Sequence, residues 1–168
     1  MNYQSLFPKR EQNSHKGSFG KVLNIAGSRC YQGAAYLSSV SALRIGAGYV
    51  TLACPDFMVD NVASLSSDIT FLPLEDSLLS KIYTIEDVLH KYDVVSIGCG
   101  LGLDNRTVEF VDRVLDLLED SDKKLIIDAD ALNALALIGL KKLPVNTVIT
   151  PHEAELARLL YVSYQEVS

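Results

Sequence analysis

A stretch with three closely spaced glycines, GCGLGLDN at residues 98–105, follows an apolar run and is the first candidate for chemistry. Gly98 and Gly100 fit the start of a dinucleotide-binding G-x-G-x-x-G motif, but Leu103 occupies the place of its third glycine. Glycines at this spacing, with Gly102 as the third, permit positive φ angles and leave backbone N–H groups uncovered. Such a loop suits a planar or phosphorylated ligand. The alternative is a strand-to-helix connection in which the following Asp-Asn pair supplies the helix N-cap.

A second candidate is DADALN at residues 128–133, where two carboxylates lie two residues apart. Carboxylates this close can divide acid and base roles or hold a metal. Asp130 also has an ordinary explanation as the N-cap of a helix, with Asn133 three residues on. Asp128 ends a buried strand, and a carboxylate there needs a polar partner. We therefore expect Asp128 to face the ligand side.

A third candidate is His152 in TPHEAEL, residues 150–156. Thr150 as N-cap, Pro151 at the first helical position and Glu153 at the third predict a capping box, which leaves the histidine unexplained. In the first turn the helix dipole disfavours an imidazolium, so we expect a neutral, hydrogen-bonding side chain. The alternative is a solvated surface histidine.

The stretch GSRCYQGA at residues 27–34 is the fourth candidate. It is not a P-loop, because five residues separate its glycines and Ala34 stands where the phosphate-binding lysine should be. It is either a small-residue loop whose helix start faces a ligand or a tight turn with close helix–sheet packing.

The elements that position these four loops alternate between strand and helix. Apolar runs predict strands at 21–27, 49–54, 69–74, 93–98, 124–130 and 146–150. Helical spacing or start signals predict helices at 33–48, 56–68, 84–92, 105–120, 131–140 and 151–160, with Thr84 and Asp87 marking the start of the third. This order predicts a three-layer α/β domain over 21–168, with a mostly parallel sheet covered by helices on both faces, after a polar segment at 1–20. Ligands bind at the C-terminal ends of such strands, where all four loops lie.

The net charge, the apolar runs and the cysteines of the chain argue against several classes of function. The net charge of −6 argues against binding nucleic acid or an anionic membrane surface, and no apolar run is long enough to span a membrane. The cysteines, Cys30, Cys54 and Cys99, are odd in number and lack zinc-ligand spacing, so we expect no metal held by them and a reducing, cytoplasmic setting.

The motifs together resemble one enzyme family. KGSFGKVLNIAGS, YQGAAYLSSVSALRIGAGYVTLACP, IGCGLG, LIIDADALNAL and VITPHEAELARLL occur in the order found in the ADP/ATP-dependent NAD(P)H-hydrate dehydratases, which have the ribokinase-like fold. The resemblance implies a lyase that repairs hydrated NADH and NADPH. A nucleotide, ADP or ATP with Mg as a candidate accompanying ion, phosphorylates the hydroxyl of the hydrate, and phosphate then leaves as the ring double bond returns.

The resemblance also implies which residues hold the substrate. Ala34, Gly102 and His152 would contact the hydrated nicotinamide nucleotide, with Gly100 in the same loop as Gly102. Asp128 and Asn133 would line the same pocket.

Two departures from the family pattern change what is expected of this chain. Cys99 stands where the glycine loop of the family usually has proline. Without proline the unfolded chain has more conformational freedom, which lowers the free energy of unfolding by roughly 0.4–1 kcal/mol. The glycine-rich nucleotide loop and the G-[TS]-G-D segment, which supplies the anion hole and the catalytic aspartate, do not occur in the 168 residues. We therefore expect no catalytic residue, no nucleotide donor site and no turnover in this chain alone. Without the later strands of the family, an edge of the sheet and an apolar helix-packing face would be exposed. Such surfaces favour association with another chain, so we expect a homo-oligomer.

Two other functions remain open at this point. A vitamin-precursor kinase of the same fold shares several motifs, although such kinases typically carry asparagine where His152 stands. A nucleotide-binding or assembly module without catalysis is favoured by the missing segment. The sequence does not decide between ADP and ATP, nor whether an epimerase domain accompanies this one.

Overall fold

The computed structural model describes residues 11–139 and 141–167, and a six-stranded sheet forms their centre. The order across the sheet is β3-β2-β1-β4-β5-β6, and every pairing is parallel. The predicted parallel α/β sheet is therefore confirmed. The strands are β1 (Lys21–Ile25), β2 (Tyr49–Pro55), β3 (Thr70–Leu74), β4 (Val94–Ile97), β5 (Lys124–Ile127) and β6 (Thr147–Ile149).

Helices connect the strands, as parallel pairing requires. They are α1 (Gln32–Ile45), α2 (Val59–Ala63), α3 (Leu78–Leu89), α4 (Asn105–Leu118), α5 (Asp130–Ile138) and α6 (Glu153–Leu160). Short 3-10 turns occupy Lys16–Phe19, Asp56–Met58 and Tyr164–Glu166. No helix within the described ranges is both long and apolar enough to cross a bilayer.

Two apolar clusters lie on opposite faces of the sheet. Alternate side chains of β2 belong to different clusters: Leu52 and Cys54 to one, Ala53 to the other. The first cluster packs against α1 and α2, and the larger second cluster packs against α3, α4 and α5. The two covered faces confirm the predicted three layers. They also explain why these strands are apolar along their whole length.

Two predicted helices differ from those observed. The third begins at Leu78 rather than Thr84, because Ile82 and Ile85 continue an apolar stripe that packs into the larger cluster. Thr84 therefore lies inside the helix, and Ser77 is the N-cap residue. The second helix is shorter than predicted, since 56–68 holds only a 3-10 turn and the brief α2.

The sheet ends at β6, which pairs only with β5 in the part of the chain that the structure describes. Val148 and Ile149 on this strand are 56% and 43% exposed. Further exposed apolar side chains near this edge are Leu137, Val145, Leu160 and Tyr161. This side of the domain thus presents apolar surface that the described residues do not cover.

Candidate functional site

The four candidate loops follow β1, β4, β5 and β6, which are adjacent in the sheet. Parallel strands end at one edge, so all four loops lie together along that edge. Neighbouring strands are roughly 4.8 Å apart, so the loop after β6 begins about 10 Å from the loop after β4. The predicted common edge is confirmed.

The loop after β1 and the glycine loop are in direct contact. The Gly27 amide donates to the Cys99 carbonyl oxygen at 2.9 Å. A Cβ on Gly100 would lie 2.9 Å from the Cβ of Ala34 and 2.7 Å from that of Tyr31. Gly100 also has a φ of +70°. Glycine is therefore required at this position both by its backbone conformation and by the close approach of the start of α1.

Asp130 connects the glycine loop to the start of α5. Its carboxylate accepts a hydrogen bond from the Gly102 amide at 2.8 Å. The predicted role of Asp130 as N-cap is wrong, because Ala129 holds the N-cap position with a φ of 49° and Asp130 is the first helical residue. The carboxylate is thus free of local capping and holds a loop 28 residues away in sequence. Gly102 keeps an open side, since a Cβ there would meet nothing within 4 Å.

Asp128 is half-buried, and its carboxylate has partners within the chain. One oxygen accepts from the Ala129 amide at 2.8 Å, and the other accepts from the Cys99 thiol at 3.5 Å. Burial and the neighbouring Asp128 carboxylate raise the pKa of Cys99 to about 11, so the thiol keeps its proton. Cys99, which replaces the usual proline of the family pattern, therefore supplies a donor that proline lacks.

His152 is the N-cap of α6. Its Nδ1 accepts from the Ala154 amide at 3.2 Å, and the Glu155 carboxylate accepts from the His152 amide at 3.0 Å. The predicted capping box of Thr150 and Glu153 is wrong, and the helix begins two residues later than expected. His152 Nε2 lies 3.3 Å from Glu155, and 66% of the histidine side chain is exposed. The histidine thus has a structural role as well as an imidazole that a ligand can reach.

Asn133 lies toward α6 rather than beside Ala34. Its side-chain oxygen accepts from Arg158 at 2.5 Å. Both residues line a groove of about 480 Å³ between α5 and α6, with Leu103 and Tyr161 also on its walls. The predicted site residues therefore form two neighbouring groups: Ala34, Gly100, Gly102 and Asp128 at the glycine loop, and Asn133 and His152 on the side of α6.

Sequence reasoning missed three contributors to this edge. The importance of Asp130 was hidden by its ordinary place beside a helix start. Arg158 and the buried Glu155 lie in the last of the quoted motifs, but the sequence assigned neither of them a role. The sequence did offer a signal for Glu155. Glu153 lies three residues after Thr150 and Glu155 lies three residues after His152, so either glutamate can complete a capping box. In residues 11–139 and 141–167, no group of three or more His, Cys, Asp or Glu side chains is arranged to hold a metal ion.

The fold and this edge define an α/β protein with a ribokinase-like sheet and a glycine-rich loop at the carboxyl ends of its strands. The chain belongs to the NAD(P)H-hydrate dehydratase family, whose model matches residues 22–167. The resemblance drawn from the motifs is confirmed, and the assignment agrees with the first of the three functions considered.

Relatives with assigned activities match over most of this chain. It is 38% identical over 155 residues to the ADP-dependent (S)-NAD(P)H-hydrate dehydratase of Lactococcus lactis, covering 92% of this chain and 54% of the relative. It is 36% identical over 167 residues to the bifunctional NAD(P)H-hydrate repair enzyme Nnr of Thermofilum pendens, covering 95% of this chain and 31% of the relative.

A solved structure shows the same fold. The ADP/ATP-dependent NAD(P)H-hydrate dehydratase of Bacillus subtilis, co-crystallised with ATP and Mg²⁺, aligns with a TM-score of 0.75 and 28% identity. The alignment covers 95% of this chain and 54% of that one. This chain thus spans between about a third and about half of the length of these three proteins.

Proposed function

We propose that this chain holds the hydrated nicotinamide nucleotide for an NAD(P)H-hydrate dehydratase, with the hydrate of NADH or NADPH as substrate. The observation that carries the proposal is the joining of three distant motif loops: Ala34 contacts Gly100, and Gly102 is bonded to Asp130. Membership of the family supports it. The substrate would lie along the edge where these loops meet.

In the proposed reaction, a nucleotide transfers phosphate to the hydroxyl that hydration placed on the nicotinamide ring. The carbon–oxygen bond then breaks, phosphate leaves with the electron pair, and loss of a ring proton restores the double bond. The residues of this chain would bind and orient the ring. Gly102 offers an open backbone surface for a flat group. Asp128 would accept from a polar group of the ligand, and the exposed His152 would contact its far end.

Phosphoryl transfer depends on groups that position the donor and stabilise charge in the transition state. We propose ADP or ATP as the donor, with Mg as the accompanying ion. The sequence G-x-G-D does not occur in these 168 residues. We therefore propose that the polypeptide of residues 1–168 binds substrate but gives no turnover when assayed alone with hydrate and ADP. Recovery of the absorbance of reduced nicotinamide above the uncatalysed rate would contradict this.

We also propose that the polypeptide self-associates through its open sheet edge. Exposed Val148 and Ile149 on the edge strand β6, which pairs on one side only among the described residues, favour pairing with another chain. A monodisperse monomer in light scattering at micromolar concentration would argue against association. All three cysteines are unpaired, which supports the proposed reducing, cytoplasmic setting.

The binding proposal is tested with two matched variants. Gly102 and Gly139 both have positive φ angles, +82° and +93°, and a Cβ at either would meet nothing within 4 Å. Gly102→Ala and Gly139→Ala both place an alanine at positive φ with no steric contact in the described chain, but only the first places a methyl group on the proposed ligand surface. We expect titration calorimetry with hydrated NADH to show weaker binding for Gly102→Ala and wild-type binding for Gly139→Ala. Equal affinities in the two variants would refute the placement of the substrate.

A further inference from the structure

A row of polar side chains leads from the middle of the sheet to Asp128. It begins at Asn24 on β1, continues to Ser38 on α1 and ends at Cys99 in the glycine loop, whose thiol donates to Asp128. We call these three residues, Asn24, Ser38 and Cys99, the polar row. They come from separate segments of the chain, and Asn24 and Ser38 are not among the predicted site residues.

Asn24 is the buried end of the polar row, with only 2% of its surface exposed. Its side-chain amide donates to the hydroxyl oxygens of Ser38 at 2.8 Å and Ser39 at 2.9 Å. Among the described residues, no donor reaches Asn24 Oδ1. A buried amide oxygen without a partner costs roughly 1–3 kcal/mol. Stability alone would favour an apolar residue here, such as the Leu52 that lies beside it on β2, so the amide needs another explanation.

Ser38 is the residue at which the polar row meets the candidate site. Its hydroxyl lies 2.9 Å from the Ala34 carbonyl oxygen and 3.2 Å from the Ala35 carbonyl oxygen, both of which can accept its proton. Because Asn24 donates to the Ser38 oxygen, the serine proton remains free to be donated toward the site. The hydroxyl is thus anchored from below, next to the part of α1 that contacts the glycine loop.

The Ser38 hydroxyl also interacts with the Cys99 sulfur. Burial first and the Asp128 carboxylate second raise the pKa of the Cys99 thiol to about 11, and a hydrogen bond from Ser38 opposes them by lowering it. The backbone of Cys99 is held separately, because its carbonyl accepts from the Gly27 amide at 2.9 Å. What Ser38 controls is therefore the rotation of the Cys99 side chain.

That rotation affects the direction in which the Asp128 carboxylate faces. One carboxylate oxygen is held by the adjacent Ala129 amide at 2.8 Å, and the other accepts from the Cys99 thiol at 3.5 Å. A thiol is a weak donor, and this bond is long. It can orient Asp128 only while the sulfur itself is kept in place, which is what the contact with Ser38 provides.

We propose that Ser38 is a positioning residue of the hydrate site. Anchored by Asn24, its hydroxyl holds the Cys99 thiol, and the thiol orients the Asp128 carboxylate toward the ligand. Ser38 acts through Cys99 and does not contact the substrate. The inference rests on the proposed function, because Asp128 has a ligand to face only if the hydrate binds at this edge.

A double-mutant cycle tests whether Ser38 acts through Cys99. In calorimetric titration of the 168-residue chain with hydrated NADH, we expect Ser38→Ala and Cys99→Ala each to weaken binding by about three- to tenfold, as the loss of one hydrogen bond predicts. The double variant should bind no more weakly than either single variant. Ser38→Thr and Cys99→Ser, which keep a hydroxyl donor, should bind nearly as tightly as the wild type.

Thr51→Val is the matched control. Thr51 is 4% exposed, and its hydroxyl shares a hydrogen bond of 2.8 Å with that of Thr70. The next residue, Leu52, packs in the cluster against α1, so Thr51 faces the opposite side of the sheet from Ser38. Thr51→Val therefore removes a buried hydroxyl without altering the polar row. It should bind the hydrate like the wild type, even where its melting curve shows a loss of stability.

The infrared S–H stretching band of Cys99, identified by its absence in Cys99→Ser, gives a readout that needs no ligand. A hydrogen-bonded S–H group absorbs at a lower frequency than a free one. We expect Ser38→Ala to move this band to higher frequency and Thr51→Val to leave it in place.

Wild-type binding of the hydrate that Ser38→Ala leaves unchanged overturns this inference alone. So do losses that add up in the double variant, an equal loss in Thr51→Val, or a Cys99 band that Ser38→Ala does not move. A wild-type chain that does not bind hydrated NADH at millimolar concentration overturns the proposed function, and the positioning role of Ser38 with it. A melting curve for each variant verifies that it is folded.

Discussion

Replacing Gly98 tests whether the glycine loop and the β5–α5 loop are packed as described. A Cβ at Gly98 would lie 1.8 Å from the Asp128 carbonyl oxygen and 2.9 Å from the Cβ of Ala131. The first contact is with backbone, which cannot rotate away as a side chain can. The Asp128 amide also donates to the Ile97 carbonyl at 3.1 Å, so the opposing segment is held in place. Gly98→Ala must therefore displace one loop from the other.

The cost has two parts. Forcing extra volume into a packed region costs roughly 1–3 kcal/mol. A non-glycine residue at the φ of +133° observed for Gly98 adds a strain of roughly 1–3 kcal/mol. The sum, about 2–6 kcal/mol, is a large share of the roughly 5–15 kcal/mol by which domains are usually stable. Gly139→Ala carries the strain alone, because nothing lies within 4 Å of its added Cβ.

Urea denaturation followed by circular dichroism measures the difference. We expect Gly98→Ala to lose about 1–3 kcal/mol more free energy of unfolding than Gly139→Ala. If Gly98→Ala does not fold at all while Gly139→Ala does, the result also agrees with the close packing of the two loops. Equal losses in the two variants would refute the close approach of the two loops.

Three further predictions concern side chains at the same edge. Asp130→Ala leaves the Gly102 amide without its acceptor and should cost roughly 1–3 kcal/mol in a melting experiment, whereas Asp130→Asn, which keeps an oxygen, should cost less. His152→Ala should lose roughly 0.5–2 kcal/mol as the α6 cap is removed. His152→Asn, which can still cap the helix, should keep that stability but not hydrate binding. Hydrate binding at the wild-type level in His152→Asn would show that His152 acts only as a helix cap. Burial and Asp128 raise the pKa of the Cys99 thiol to about 11, so iodoacetamide at pH 8 should alkylate the exposed Cys30 first. Mass spectrometry that finds Cys99 modified as fast as Cys30 would contradict the raised pKa.

The architecture was predictable because the sequence patterns that specify it are local. Each strand is a short apolar run, and most of the runs end at glycine, proline or aspartate. Helical spacing between them forces parallel pairing, since a parallel connection needs a crossover. Asp104 as the N-cap of α4 was equally local, and its side chain accepts from the Thr107 amide as that pattern predicts.

Helix starts were less predictable where two start signals compete. TPHEAE contains both Thr150 with Glu153 and His152 with Glu155 at capping-box spacing. Packing decides between them, because Glu155 is only 6% exposed while the Thr150 amide still donates to Ile127 along the sheet edge. The same competition displaced the start of α3, where burial of Ile85 outweighs the start signal at Thr84.

The contacts between loops could not be read from the sequence at all. The bond from Gly102 to Asp130 joins residues that look like ordinary turn and cap residues when taken separately. Such contacts depend on which strands are neighbours, which only the assembled sheet fixes.

We propose that the glycine loop and the start of α6 jointly hold the hydrated nicotinamide nucleotide. Two-dimensional NMR of the isotope-labelled chain, titrated with hydrated NADH, tests it most directly. We expect the backbone amide signals of Gly100, Gly102 and His152 to shift with a single dissociation constant and that of Gly139 to stay in place. Saturating hydrate that leaves the signals of Gly102 and His152 unmoved would contradict it.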